Sequence, residues 1–169
     1  AIFSEYTDLV EPMALDEAYL DVSNSQHQHG SATLIAASIR QQIWDSQHLT
    51  ASAGVATNKF LAKIASSWNK PNGIFVILPE EIENFVARLS VKKLFGVGKV
   101  TAAKLSQLNI QICTDLQPFS LIELTNRFGK LGNSLYYQAR GIDNREVISD
   151  RPRKSLSIET TFPSNIENI

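Results

Sequence analysis

Residues 9–22 decide the fold of the first half of the chain, and they read LVEPMALDEAYLDV. Apolar and polar residues alternate on both sides of Asp16, as they do in strands that bury one face. The pattern predicts two antiparallel strands joined by a tight turn, with Asp16 and Glu17 at the turn. Adjacent carboxylates at such a turn can hold a hard cation such as Mg²⁺, but an ordinary acidic hairpin turn presents the same two residues.

The sequence around this hairpin adds helices and strands in alternation. Apolar residues at helical spacing follow Ser31 as far as about Trp44, and Asn58 is placed to cap a second helix. Short strands are expected within residues 50–56 and 74–77, with Pro and Gly marking the loop before the second of them. This part of the chain is therefore predicted to be α+β, with helices on one face of an antiparallel or mixed sheet.

The pattern changes at Pro79, after which only short helices are expected. They are predicted at residues 79–89, 99–107, 114–117, 120–128 and 129–140. Residues 143–153 lack apolar periodicity and have the pattern of a linker, and residues 154–162 alternate again as a strand would. The predicted organisation is a mixed domain over 1–78, a small all-helical domain over 79–143, and a linker with a first strand over 144–169.

Composition indicates a globular protein and excludes several classes. Of 169 residues, 43% are hydrophobic and 20% are charged, and no apolar run approaches the roughly 18 residues that a membrane span needs. A single cysteine, Cys113, excludes an internal disulfide and suits a reducing cytoplasm. The net charge is only −1, yet residues 79–143 hold eight Lys and Arg against six Asp and Glu. The helical part is thus the better candidate for contact with a phosphate backbone.

The predicted helical part contains the string LFGVGKVTAAKL. Gly96 and Gly98, on either side of Val97, allow a tight turn without a bulky side chain, and the helix that follows points its free N–H groups outward. Lys99 and Lys104 add positive charge nearby. The string resembles a helix-hairpin-helix, and its glycines and lysines predict a contact with phosphates that ignores sequence, the alternative being a plain turn between helices.

Three further features of the sequence can each be interpreted in two ways. Lys59 and Lys63 stand one helical turn apart, where like charges repel, so they contact either a phosphate backbone or only solvent. The Gly-rich residues 129–132 form either a second backbone contact or a simple helix start. His27 and His29 have no third ligand nearby in the sequence and are assigned to a polar loop.

Four strings together carry a family resemblance. They are LDEAYLDV, SAGVA, NKFLAKIAS and NKPNG, in that order along the chain. Together with the Gly-x-Gly string they resemble the palm and thumb signatures of Y-family DNA polymerases of the bacterial type. The resemblance implies that residues 1–78 are the C-terminal part of a catalytic palm, that 79–143 are the thumb, and that 144–169 lead into the little finger. One departure is Ala14, where the family usually has Ser.

The resemblance also implies chemistry. In the family, a primer 3′-hydroxyl attacks the α-phosphate of a dNTP with the help of two Mg²⁺ ions. Asp16 matches the aspartate that bridges the metals, Glu17 the glutamate beside the primer-side metal, and Lys70 the lysine that neutralises the triphosphate. The family's third carboxylate and its fingers belong to an earlier segment that nothing here matches. The chain alone is therefore expected to be inactive.

The remaining expectations concern partners. Arg151, Arg153 and Lys154 resemble a basic linker that touches the template backbone, although a solvated linker has the same composition. The resemblance implies error-prone translesion synthesis on primer-template DNA in the bacterial cytoplasm, with a sliding clamp as partner of the full-length protein.

Two rival functions remain at this stage. A DNA-binding module without catalysis would have no reason to combine Lys70 with the carboxylates Asp16 and Glu17. A nucleotide-cyclase palm also uses paired metal-binding carboxylates, but it would not need the helix-hairpin-helix.

Overall fold

The computed structural model describes residues 2–150, so the predicted strand at 154–162 lies outside it. The strands are β1 (Val10–Pro12), β2 (Ala18–Leu20), β3 (Ala53–Val55) and β4 (Ile74–Val76). The α-helices are α1 (Ala32–Gln47), α2 (Lys59–Ser66), α3 (Ile82–Ala87), α4 (Lys99–Gln107), α5 (Cys113–Leu116), α6 (Leu121–Phe128) and α7 (Lys130–Gln138). Short 3₁₀ helices cover Ile2–Glu5, His27–Gly30, Pro79–Glu81 and Val91–Lys93.

The first two strands form the predicted hairpin. β1 and β2 pair antiparallel, with Val10 opposite Leu20 and Pro12 opposite Ala18. The turn between them is closed by the carbonyl of Glu17, which accepts hydrogen bonds from the N–H groups of Met13 at 2.8 Å and Ala14 at 3.2 Å. The prediction that the carboxylates lie at the turn is confirmed.

β3 and β4 form a second, parallel pair, joined through α2. Ser31 and Asn58 cap α1 and α2 as predicted, each accepting a hydrogen bond from a backbone N–H three residues on. Helix α2 lies directly on β3 at Gly54, where an added Cβ would stand 2.1 Å from the carbonyl oxygen of Ala62. Only glycine permits this close approach of helix and strand.

Between residues 79 and 138 the regular elements are all helical, so the α+β class followed by a small helical part is confirmed. The predicted helix at 79–89 is shorter than expected, because a 3₁₀ turn precedes α3. None of the helices in residues 2–150 has the length and hydropathy that a membrane crossing requires.

A single buried cluster spans both halves of the described chain. Phe60 and Leu61 of α2 belong to the same cluster as Leu105, Leu124 and Leu135 of the helical part. The predicted boundaries at residues 78 and 143 are therefore not marked by separate cores, and they stay a prediction.

The segment after α7 contains no regular element up to residue 150, as a linker would, but it is anchored. The Asn58 amide donates to the carbonyl of Gly141 at 2.9 Å, and the N–H of Phe60 donates to an Asp143 carboxylate oxygen at 3.0 Å. Arg145 forms an ion pair with the same carboxylate at 2.7 Å. The first part of the predicted linker is thus fixed to the N-terminal end of α2.

Cys113 lies fully inside the core, and burial raises the pKa of its thiol to about 12. Because the thiolate is the reactive form, we expect iodoacetamide at pH 8 to alkylate the folded chain at least about a hundredfold more slowly than the urea-unfolded chain. Mass spectrometry over a time course measures both rates. Equal rates in the two states would show that Cys113 is accessible in the folded protein.

Candidate functional site

The predicted site residues of the first half line one cleft of about 550 Å³. Asp16 and Glu17 border it from the hairpin turn, Lys63 from α2, and Lys70 from the loop before β4. Its other lining residues include Ser52 just before β3 and the small residues Ala53, Gly54 and Ala62 of β3 and α2. The cleft thus combines carboxylates and ammonium groups around an open space.

The two carboxylates have different surroundings. Asp16 is exposed at the tip of the turn, whereas Glu17 is half-buried and forms an ion pair with Lys63. The hydrogen bond from Lys63, opposed by partial burial and aided by the charges of Lys63 and Lys70, lowers the pKa of Glu17. Glu17 is therefore held in the charged form that a cation requires.

The pairing of Lys63 also resolves an open point. Lys59 and Lys63 were expected to contact a phosphate backbone or solvent, but each meets a carboxylate of the hairpin: Lys63 contacts Glu17, and Lys59 contacts Glu11. The repulsion between the two lysines is offset within the chain itself. Sequence reasoning could not identify these partners because they lie on a separate element.

Glu11 and Lys59 form a buried group that sequence analysis missed. Their relative exposures are 3% and 5%, and both reach the segment after α7. The Lys59 ammonium also donates to the carbonyl of Glu146 at 3.0 Å, and a Glu11 carboxylate oxygen accepts from the N–H of Ile148 at 3.0 Å. The one available signal was Glu11 itself, a carboxylate inside a predicted strand.

Lys70 is exposed in the middle of the loop that joins α2 to β4. The N–H of Ala53 donates to the carbonyl of Gly73 at 2.9 Å, and the Asn69 side chain donates to the carbonyl of Ile74 at 2.9 Å. These bonds fix both ends of the loop, so the Lys70 ammonium is presented on a defined backbone beside the carboxylates.

The Gly-x-Gly string forms a hairpin as predicted, with one difference. The helix on its N-terminal side is the single 3₁₀ turn Val91–Lys93 rather than a full α-helix. Gly96 has φ +86°, a left-handed conformation that glycine adopts without strain, and Gly98 stands at the N-cap of α4 with open space around its Cα. Val97 is half-buried and Lys99 is exposed.

Gln138 holds this hairpin and was missed from the sequence. Its buried amide accepts a hydrogen bond from the N–H of Phe95 at 2.7 Å and donates to the carbonyl of the same residue at 3.2 Å. Ser134 accepts a second bond from it at 2.7 Å. A buried glutamine that pairs with both backbone groups of one residue fixes the turn just before Gly96.

Other predicted contacts in the helical part have internal partners. The Lys104 ammonium donates to the carbonyl of Arg127 at 2.6 Å and lies 4.8 Å from the centre of the Phe128 ring. Gly132 packs against α6, where an added Cβ would stand 2.0 Å from the Leu124 carbonyl oxygen, and Gly129 faces open space. Lys104 is exposed and its ammonium has three N–H donors, so the bond to the Arg127 carbonyl leaves donors for a phosphate. Arg153 and Lys154 lie outside the described residues.

The two carboxylates at the turn provide some of the ligands that a magnesium ion needs. Mg²⁺ takes hard oxygen ligands and is usually held by one or two carboxylates together with substrate phosphates. Asp16 and Glu17 supply two such groups, and Glu17 already accepts a cation, the Lys63 ammonium. Within residues 2–150 no group of three metal-ligating side chains comes together. The donor set fits Mg²⁺ and is incomplete for two ions.

Comparison with known proteins agrees with this geometry. Residues 1–67 match the model of the impB/mucB/samB family, and residues 92–143 match the model described as the DNA polymerase-iota thumb domain. The protein named DNA polymerase IV from Francisella tularensis subsp. novicida is 56% identical over 168 residues, which cover 99% of this chain and 48% of that protein. The protein of the same name from Cronobacter sakazakii is 56% identical over 165 residues, which cover 98% and 47%.

Solved structures give the same result. A Y-family DNA polymerase chimera matches with a TM-score of 0.80 and 33% identity, over 89% of this chain and 44% of that one. The insertion ternary complex of Dbh DNA polymerase matches with a TM-score of 0.79 and 34% identity, over 86% and 43%. The chain belongs to the Y-family of DNA polymerases. The curated relatives it matches are named DNA polymerase IV, and it spans about half of their length.

Proposed function

We propose that the protein to which this chain belongs is a DNA-directed DNA polymerase that transfers nucleotides from dNTPs to a primer 3′-hydroxyl. The observation that carries the proposal is the cleft itself, where the carboxylates Asp16 and Glu17 and the ammonium of Lys70 line the same space. Acids and a cation around an open cleft suit a reaction in which a metal-bound, highly charged phosphate chain must be held in place.

Each site residue has a role in this proposal. Asp16 and Glu17 hold Mg²⁺, which when bound supplies charge neutralisation for the reacting phosphates. Glu17, kept ionised by Lys63, also helps remove the proton of the primer hydroxyl. Lys70 neutralises the triphosphate as a compact point charge. Small side chains at Ala53 and Gly54 leave room beside these groups.

The helical part supplies DNA contact in the proposal. The hairpin of Gly96, Val97 and Gly98 presents the N-terminal end of α4 and the exposed Lys99 to a DNA phosphate. A backbone contact of this kind ignores sequence, as a polymerase that moves along DNA requires. Lys104, Arg153 and Lys154 would add to the same surface.

The proposal extends to the domains of the chain and to the setting in which the protein works. Residues 1–78 are assigned to the palm, 79–143 to the thumb and 144–169 to the linker and start of the little finger. The synthesis is error-prone and passes lesions, a sliding clamp binds the full-length protein, and the protein works in the bacterial cytoplasm. The chain by itself lacks a third metal-binding carboxylate among its described residues, which supports the proposal that it is inactive alone.

A primer-extension assay tests the function. The full-length protein is incubated with a labelled primer, templates that differ in the first unpaired base, Mg²⁺ and each dNTP separately. We expect incorporation that follows the template base. Binding of the primer-template without incorporation would instead support a DNA-binding module, and incorporation that ignores the template would contradict template-directed synthesis. The 169-residue chain alone, run in parallel, is expected to extend no primer.

A further inference from the structure

Arg40 of α1 reaches across to the loop that carries Lys70. Its Nε donates to the carbonyl of Ala51 at 2.8 Å, and one Nη donates to both the backbone carbonyl and the side-chain oxygen of Asn72, at 2.5 and 2.6 Å. One guanidinium therefore joins the helix, the segment that enters β3 and the loop that enters β4. Both Arg40 and residues of this loop line the candidate cleft.

The loop residue that Arg40 contacts has a left-handed backbone. Asn72 has φ +52°, in a region that asparagine enters more readily than other non-glycine residues. Asn72 is exposed, and the hydrogen bonds from Arg40 hold both its backbone carbonyl and its side chain in place, two residues from Lys70.

Arginine is suited to this task and lysine is not. The guanidinium is a rigid planar fork that can donate several hydrogen bonds in fixed directions, whereas an ammonium on a flexible chain cannot reach Ala51 and Asn72 together in the same geometry. Bonds from a charged donor are also stronger than neutral ones. Arg40 is thus matched to the loop in shape as well as in charge.

We propose that Arg40 is a positioning residue for nucleotide binding, because it holds the loop of residues 70–73 so that the Lys70 ammonium is presented to the triphosphate. The inference rests on the proposed function of Lys70. Arg40 acts through the loop and makes no contact with the nucleotide.

Single-nucleotide insertion by the full-length protein tests the proposal, with KM for dNTP, kcat and the Kd for primer-template DNA measured separately. We expect Arg40→Gln to raise KM about tenfold, to change kcat less, and to leave the DNA Kd within about twofold. Arg40→Lys should resemble Arg40→Gln, since the fork is lost in both. Gln47→Ala removes an exposed polar side chain from the C-terminal end of the same helix, outside the cleft, and is the control, expected to behave as the unmodified protein.

Three further variants make the outcomes distinct. If Lys70→Ala leaves KM unchanged, the proposed role of Lys70 fails. If Lys70→Ala raises KM but Arg40→Gln does not, the inference about Arg40 is overturned. In the double variant, KM should match that of Lys70→Ala alone, because both changes remove the same contact; multiplied effects would show that Arg40 acts independently. Asn72→Gly replaces Arg40→Gln if that variant does not fold. Glycine accepts the same φ but removes the side-chain acceptor of the Arg40 bond, so we expect KM for dNTP to rise. An unchanged KM would contradict the proposal.

Discussion

Replacing Asp16 with asparagine is expected to reduce primer extension by the full-length protein by about a thousandfold or more, equivalent to about 4 kcal/mol of lost transition-state stabilisation. An amide keeps the shape of the side chain but removes the negative charge that a metal requires. Because Asp16 is exposed at the turn, the substitution should leave the hairpin folded. Extension rates under single-turnover conditions, with saturating DNA, measure the loss.

Glu17→Gln should reduce the rate of primer extension by a similar factor, but it also changes a second interaction. Glu17 also neutralises Lys63, so the glutamine variant leaves that ammonium without its carboxylate. Asp45→Asn, an exposed aspartate on α1 outside the cleft, is the matched control and should retain full activity. Primer-template affinity should persist in all three variants. Undiminished extension by Asp16→Asn would mean that the carboxylates are structural and that the active site lies elsewhere.

Breaking the buried pair of Glu11 and Lys59 is expected to have the largest effect on stability. Lys59→Met or Glu11→Gln should each lower the free energy of unfolding by about 3–5 kcal/mol, because either change breaks a buried ion pair by removing the charge of one member only. The backbone groups of Glu146 and Ile148 lose a polar partner in the same change. Urea unfolding followed by circular dichroism measures the loss.

The helix offers a matched comparison for this prediction. Lys63→Met removes the next lysine of α2, whose ion pair with Glu17 is more than a third exposed, and should cost no more than about 1 kcal/mol. The double variant Glu11→Leu with Lys59→Met should be less destabilised than the sum of its single changes, since no lone charge remains buried. Strict additivity would show that the two side chains do not interact as a pair.

How far the sequence could predict the site depended on the kind of interaction. The period-two pattern placed Asp16 and Glu17 at a turn, whereas the roles predicted for them and for Lys70 came from the resemblance of the surrounding strings to Y-family signatures, and both signals are local in the sequence. Glu11 and Lys59 are separated by 48 residues, and Phe95 and Gln138 by 43. Periodicity states that a face is buried but not which distant polar group meets it, so these pairs could not be read from the chain.

The same limit applies to the lysines. The carboxylate partners of Lys59 and Lys63 lie on the hairpin, and the Arg127 carbonyl that Lys104 contacts belongs to another helix, so no local pattern indicates these partners. The helix boundaries shifted by a few residues where a 3₁₀ turn could satisfy the same backbone groups. The α+β class and the order of the elements were predicted correctly, since they depend on patterns repeated over many residues.

The anchored segment after α7 has a consequence for how the two ends of the described chain are joined. Glu11 and Ile148 are 137 residues apart along the chain, and the hydrogen bond between them links the first strand to the segment after the last helix. Closing a loop of this length costs entropy, so such a contact forms only once the fold between its ends is in place. The buried pair of Glu11 and Lys59 therefore reports on the integrity of the whole described fold and not on one element alone.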